Sequence, residues 1–186
     1  MRLILASSSP RRESILRGLD IDFETRPPLS FAEEIEGDPK DVVRINALGK
    51  AKDVARQISE GVVVGCDTVV VLSGTILGKP SHERDAQSML HRLSGKWHTV
   101  ISGVAIVSVP KGKEVVGIEE TRVKFRDLTD EEIDSYVATG EPLDKAGAYG
   151  IQGRGELLIE KIEGSISNVV GLPKRLLLNC LGELDI

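Results

Sequence analysis

Val62-Val-Val-Gly-Cys-Asp-Thr-Val-Val-Val-Leu72 decides the class of fold. A run this rich in β-branched residues reads as a central strand buried on both faces. Asp67 stands in its middle. A buried carboxylate is costly unless it is paired, hydrogen-bonded or bound to a metal. A core strand that opens into a cleft at one end gives Asp67 a chemical use. A structural carboxylate is the competing reading.

Downstream, Ser73-Gly74 reads as a tight hairpin turn. With those two residues as the loop, Leu72 faces Thr75, and counting back sets Thr68 opposite Lys79. A bulge or one-residue slip sets Asp67 there instead. Either register returns Gly78-Lys79-Pro80 beside Cys66-Asp67-Thr68. A lysine beside an aspartate suits metal-assisted phosphate chemistry or a plain ion pair.

Upstream, Leu3-Ile-Leu-Ala-Ser-Ser-Ser-Pro-Arg-Arg12 reads as a strand, a hydroxyl-rich turn and a helix start. Pro10 suits the first helical turn, and Ser9 is the expected N-cap. Helix N-termini attract anions. Arg11 and Arg12 oppose the helix dipole there, at a cost of roughly 0.3–1 kcal/mol each. Ser7, its neighbouring hydroxyls and the two guanidiniums make a phosphate cradle; the alternative is a capped helix with two solvated arginines. Neither a GxxxxGK[ST] nor a GxGxxG motif is present at this turn.

Between these stretches lies an acidic, proline-bearing loop over 26–37 with Glu33, Glu34 and Glu36. It is either solvated or carries a carboxylate over a bound metal. A helix is expected over 41–58. Gly49 should weaken it by about 1 kcal/mol relative to Ala, and Lys50 is by default a surface lysine. Ser81 is expected to cap a helix ending at Gly95, with Met89 in the core. Strands follow over 99–109 and 115–125. In the second, Thr121, Val123 and Phe125 alternate with Arg122, Lys124 and Arg126, which signals one wet, basic face. Thr129 and Glu132 form a capping-box pattern. The glycine-rich run 144–155 carries Gln152, whose amide has enough acceptor and donor groups to read a base edge; a plain turn is the alternative. A strand over 156–162, a polar loop over 165–171 and a final helix opened by Pro173 complete the chain.

With 186 residues, 40% hydrophobic, the chain can bury one substantial core. No linker interrupts it, so a single domain over 1–186 is expected. A net charge of -5 and 3% aromatic residues argue against a broad nucleic-acid surface. Cys66 and Cys180 lie outside any CxxC, so no disulfide framework or zinc site is expected. His82, His91 and His98 lack ligand spacing. No run approaches the ~20 apolar residues of a membrane span, and no leader pattern is seen, so a cytoplasmic protein is expected.

Four motifs then carry a resemblance: Leu-Ala-Ser-Ser-Ser-Pro-Arg-Arg12, Gly-Cys-Asp-Thr-Val-Val70, Gly-Lys-Pro80 and Leu-Asp-Lys-Ala-Gly-Ala-Tyr-Gly-Ile-Gln-Gly153. In this order, with Arg-Leu-Ser-Gly95 and Asn-Val-Val-Gly-Leu-Pro173, the chain resembles the Maf family of nucleoside triphosphate pyrophosphatases. The resemblance implies a mixed, strongly twisted α/β sheet flanked by helices, with a deep cleft like that of the inosine triphosphatase-like enzymes. It implies cleavage between the α- and β-phosphates of a nucleoside triphosphate with a divalent cation, Mg²⁺ or Mn²⁺, and a homodimer.

By motif position, Asp67 is the catalytic carboxylate or metal ligand, and Glu33 helps hold the metal. Ser7, Arg11, Arg12, Lys50 and Lys79 hold phosphates. Arg11, Thr68 and Gln152 set base preference. The Gly-Ala-Tyr-Gly-Ile-Gln-Gly form resembles the dTTP and UTP branch rather than the 7-methyl-GTP branch. The family helix reads Arg-Glu-Lys-Ala before its lysine, whereas this chain reads Ala-Leu-Gly-Lys50-Ala. That leaves Lys52 as the alternative to Lys50; in the acidic loop, Glu34 is the alternative to Glu33. A nucleotide-binding regulator of cell division is the non-catalytic reading, and an oligonucleotide binder using Arg122 to Arg126 is the other rival.

Overall fold

Hydrophobic alternation and helical spacing along the chain yield seven strands and six α-helices among residues 2–184, the part described by the computed structural model. In chain order these are β1 (Leu3–Ala6), α1 (Pro10–Arg17), β2 (Phe23–Thr25), α2 (Pro39–Ala55), β3 (Gly61–Leu72), β4 (Thr75–Leu77), α3 (Glu83–Leu93), β5 (Trp97–Val109), β6 (Glu114–Phe125), α4 (Asp130–Val137), β7 (Ile159–Glu163), α5 (Ile166–Val170) and α6 (Lys174–Gly182). The strand order is β2-β1-β3-β5-β6-β7, with β4 on β3. β1 runs parallel to both β2 and β3, whereas β4 and β7 run antiparallel to their partners. The sheet is therefore mixed, as expected of an α/β fold.

The chain gathers into two compact units. The first comprises Met1–Thr68, Ser102–Glu119 and Gly171–Ile186. Its core packs Ile4, Ala6 and Val63 of the strands against Ala47, Ala51 and Val54 of α2. The second comprises Val69–Ile101 and Glu120–Val170. Leu90 and Leu93 of α3, Val123 and Phe125 of β6, and Ile133, Tyr136 and Val137 of α4 form its core together with Tyr149.

The hairpin forms as read. Ser73 and Gly74 both have positive φ, 51° and 81°, and Leu72 pairs with Thr75. The ladder stops at Val70↔Leu77, so the count to Lys79 does not apply. Three local expectations change. Ser9 occupies the N-cap of α1 but makes no side-chain cap bond; the Ser7 hydroxyl instead accepts the Ser9 N–H at 3.1 Å. The cap of α3 is His82, whose Nδ1 accepts the Asp85 N–H, because Asp85 reaches back to the Ser81 N–H. The polar loop after β7 folds into α5, drawn in by Asn168, which is fully buried and donates to Val100 O and Thr121 Oγ1. The capping box at Thr129 and Glu132 has both of its hydrogen bonds. Among the described residues, no helix is long and apolar enough to cross a membrane.

Candidate active site

Gly65 sets the first half of the site. A Cβ there would stand 2.1 Å from Ala47 O, so the glycine lets β3 run hard against α2. Strand alternation two residues on turns Asp67 toward that helix. Asp67 is buried and accepts Asn46 Nδ2–H at 2.9 Å on one oxygen and Lys50 Nζ–H at 2.7 Å on the other. The same Lys50 nitrogen lies 2.6 Å from Glu33 Oε1. Lys50 is only 6% exposed, so it is not the surface lysine that its helix pattern suggests. Burial of an ammonium is tolerable here because two carboxylates face it. Lys52 instead pairs with Glu114 at 2.9 Å, half-exposed on another face of α2.

Asn46, Lys50 and Asp53 are spaced i, i+4, i+7 and are all buried. They form a polar stripe along one face of α2. The 26–37 loop lies along it. Glu34 joins the stripe through its main chain: its N–H donates to Asn46 Oδ1, and its carbonyl accepts Asn46 Nδ2–H, both at 2.8 Å. Glu33 offers its carboxylate to Lys50. Asp53 accepts the Leu29 N–H at 2.6 Å, the Ser30 N–H at 3.3 Å and the Ser30 hydroxyl. The Ser30 hydroxyl, and then the Leu29 amide, hold the Asp53 carboxyl below its ordinary pKa. Phe31 fills the notch at Gly49, where a Cβ would come within 2.0 Å of its ring.

The other face of β3 meets the first turn of α1. Arg12 Nε donates to Gly171 O at 2.9 Å, and its terminal nitrogens donate to Thr68 Oγ1 at 3.3 Å and Ser7 Oγ at 3.5 Å. Thr68 Oγ1 also lies 2.9 Å from Ser102 Oγ. Arg11 is half-buried on the same turn. Cys66 donates its thiol to Gly171 O at 3.2 Å, and burial pushes that thiol's pKa up, which disqualifies it as a nucleophile. Thus Ser7, Arg12 and Thr68 form one cluster, and Glu33, Lys50 and Asp67 form another. Consecutive residues of β3 link the two.

In the second unit, Lys79 and Gln152 are both exposed. Their segments are tied by the Gly147 N–H, which donates to Gly78 O at 3.0 Å. The basic row of β6 is engaged locally. Arg122 stacks 4.4 Å from the Trp97 ring centre and pairs with Glu163 at 3.0 Å. Arg126 pairs with Glu132 at 3.0 Å, and Lys124 donates to Gly95 O. These contacts match a solvated face.

Sequence reasoning missed Asn46, Asp53, Ser102 and the Gly171 carbonyl. The helical spacing of Asn46, Lys50 and Asp53 was the signal available for the first two. Nothing local marked Ser102.

A divalent cation fits the donor set of the Glu33–Lys50–Asp67 cluster. Two carboxylates, Glu33 and Asp67, already converge on a single positive charge, and both offer hard oxygen ligands. Among the described residues no group of three or more His, Cys, Asp or Glu gathers as a metal cage. Two carboxylates with water and phosphate completing the shell is the usual arrangement for Mg²⁺.

The family model for Maf-like proteins matches residues 2–184. The chain is 50% identical over 174 residues to a dTTP/UTP pyrophosphatase of Dictyoglomus thermophilum, covering 92% of this chain and 90% of that one. It is 46% identical over 186 residues to the dTTP/UTP pyrophosphatase of Aquifex aeolicus, covering 100% and 97%. Among solved structures, the Staphylococcus aureus Ham1 protein superposes with a TM-score of 0.58 at 14% identity, covering 99% of this chain and 97% of that one. A dITP/XTP pyrophosphatase of Mycobacterium abscessus superposes with a TM-score of 0.50 at 16% identity, covering 100% and 98%. At such identities the likeness is one of fold alone. The family match over the described chain, together with relatives at about half identity along nearly their whole length, makes this protein a member of the Maf family.

Proposed function

We propose that this protein hydrolyses dTTP and UTP to the nucleoside monophosphate and pyrophosphate. The observation that carries the chemistry is the convergence of Asp67 and Glu33 on one cationic nitrogen, at 2.7 and 2.6 Å. The choice of substrate is supported by relatives of that activity at 46–50% identity.

Asp67 orients the attacking water and takes its proton. Asn46 and Lys50 hold the carboxylate still, so little reorganisation is needed at the moment of reaction. A divalent cation held by Asp67 and Glu33 would lower the pKa of that water and neutralise phosphate charge. Ser7, Arg11, Arg12, Lys50 and Lys79 hold the phosphates. The guanidiniums and ammoniums balance charge that grows on the leaving pyrophosphate as the bond between the α- and β-phosphates breaks. Arg11 and Thr68 contribute to base preference. Gln152 reads the base: its amide N–H donates to O4 of uracil or thymine, and its carbonyl accepts N3–H. With the amide held in that orientation, cytosine presents the reverse pattern and leaves both groups unpaired.

Asp67→Asn tests the assignment, since it keeps size while removing the base, at the cost of one of the two oxygens that accept from Asn46 and Lys50. Turnover of UTP to UMP and pyrophosphate is expected to fall at least about 100-fold, while a non-hydrolysable UTP analogue still binds by calorimetry. Turnover at the level of the unmodified enzyme would overturn the role of Asp67.

A further inference from the structure

Tyr149 lies three residues before Gln152, and its surroundings are unusually fixed for a glycine-rich loop. It is 5% exposed, and its hydroxyl lies 2.7 Å from Nε2 of His98, itself 3% exposed on β5. The Tyr149, His98 and Phe125 rings pack edge to face in a closed trio, with centroids 4.7–5.3 Å apart. Tyr149 follows Gly147 and Ala148, both at positive φ, 69° and 58°. The left-handed conformation is strained at an alanine and persists only where surrounding contacts over-determine it.

The chain beyond Tyr149 is pinned on both sides of Gln152. On the near side, the Gly150 N–H donates to the Tyr136 hydroxyl at 3.3 Å. On the far side, the Arg154 N–H reaches Glu141 Oε1 at 3.5 Å. A Cβ at Gly155 would stand 2.1 Å from Gly150 O, so the two ends of the short loop press against each other. Gln152 itself is exposed. An exposed side chain on a backbone held at both ends suits a group that must meet a ligand from one fixed position.

We propose that Tyr149 and His98 act as a positioning pair for Gln152, fixing the loop so that its amide discriminates uracil and thymine from cytosine. This rests on the reading of Gln152 as the base-recognising residue. Neither ring touches the reacting atoms. The pair acts through the backbone of 149–152. Burial keeps both partners neutral, lowering the imidazole pKa to about 4 and raising that of the phenol. The bond is therefore made across the ordinary working range of pH.

Tyr149→Phe removes the hydroxyl and keeps the ring. The expected result is a KM for UTP raised about tenfold with kcat within about twofold, and a UTP-over-CTP preference in kcat/KM reduced about tenfold. Amide hydrogen exchange at 150–154 should accelerate. Leu177→Ala, at a fully buried position of α6 in the first unit, is the control for simple destabilisation; it should lower the melting temperature and leave the preference unchanged. An unmodified enzyme that prefers UTP, beside a Tyr149→Phe variant with the same preference and the same exchange at 150–154, overturns the positioning role alone. An unmodified enzyme with no preference for UTP over CTP overturns the reading of Gln152 and this role with it.

Discussion

Lys50 shows how one residue's setting decides its chemistry. Its ammonium is buried between Asp67 and Glu33, so the charge that looked like surface decoration neutralises the two carboxylates proposed to act in the reaction. Arg12 is held differently, its fork divided among three neutral acceptors, the Gly171 carbonyl and the Thr68 and Ser7 hydroxyls. His98 is the opposite case, a titratable group kept neutral. Burial brings its pKa from 6.5 to about 4 in the folded chain. Between those values the unfolded chain binds more protons, so stability rises with pH across this window and is lost as pH falls through it. His98 should cost at most about 3 kcal/mol between neutral pH and pH 4. Urea unfolding from pH 4 to 7.5 measures it; a His98→Gln variant should have a flatter profile, and an identical slope in both proteins would remove His98 as the source.

Among the elements, α2 organises the first unit. Its apolar side packs on β1 and β3, and its polar stripe holds a loop that has little regular structure of its own. Gly49 looked like a weak point in this helix. The Phe31 ring occupies the space that any larger side chain would need. Gly49→Ala should therefore destabilise the protein, by about 1–3 kcal/mol, despite the better helix propensity of alanine. Chemical denaturation checks this, and a stabilised variant would show that the loop does not rest on the helix as described. The strands, the hairpin turn and the Thr129 capping box were legible because they depend on local period and turn chemistry. The stripe was legible in its spacing alone, because what it binds comes from a loop twelve to twenty-four residues earlier in the chain. The Ser7–Arg12 cluster was half legible: the strand–turn–helix pattern marked the hydroxyls and guanidiniums, but Ser102 and the Gly171 carbonyl come from distant segments.

At the scale of the whole molecule, the sequence motifs fall into two sets. Ser7, Arg11, Arg12, Glu33, Lys50, Asp67 and Thr68 belong to the first unit, whereas Lys79 and Gln152 belong to the second. In the proposed reaction the first set would supply acid–base, metal-holding and phosphate chemistry, and the second a further cation and the base reader. The activity is tested by initial rates of pyrophosphate release, with Mg²⁺ and with chelator, from dTTP, UTP, CTP, GTP and 7-methyl-GTP at equal concentration. Cation-dependent release from dTTP and UTP well above the others is expected, with the monophosphate as the second product. Preferential turnover of 7-methyl-GTP, release of orthophosphate in place of pyrophosphate, or no turnover of any nucleotide would contradict it.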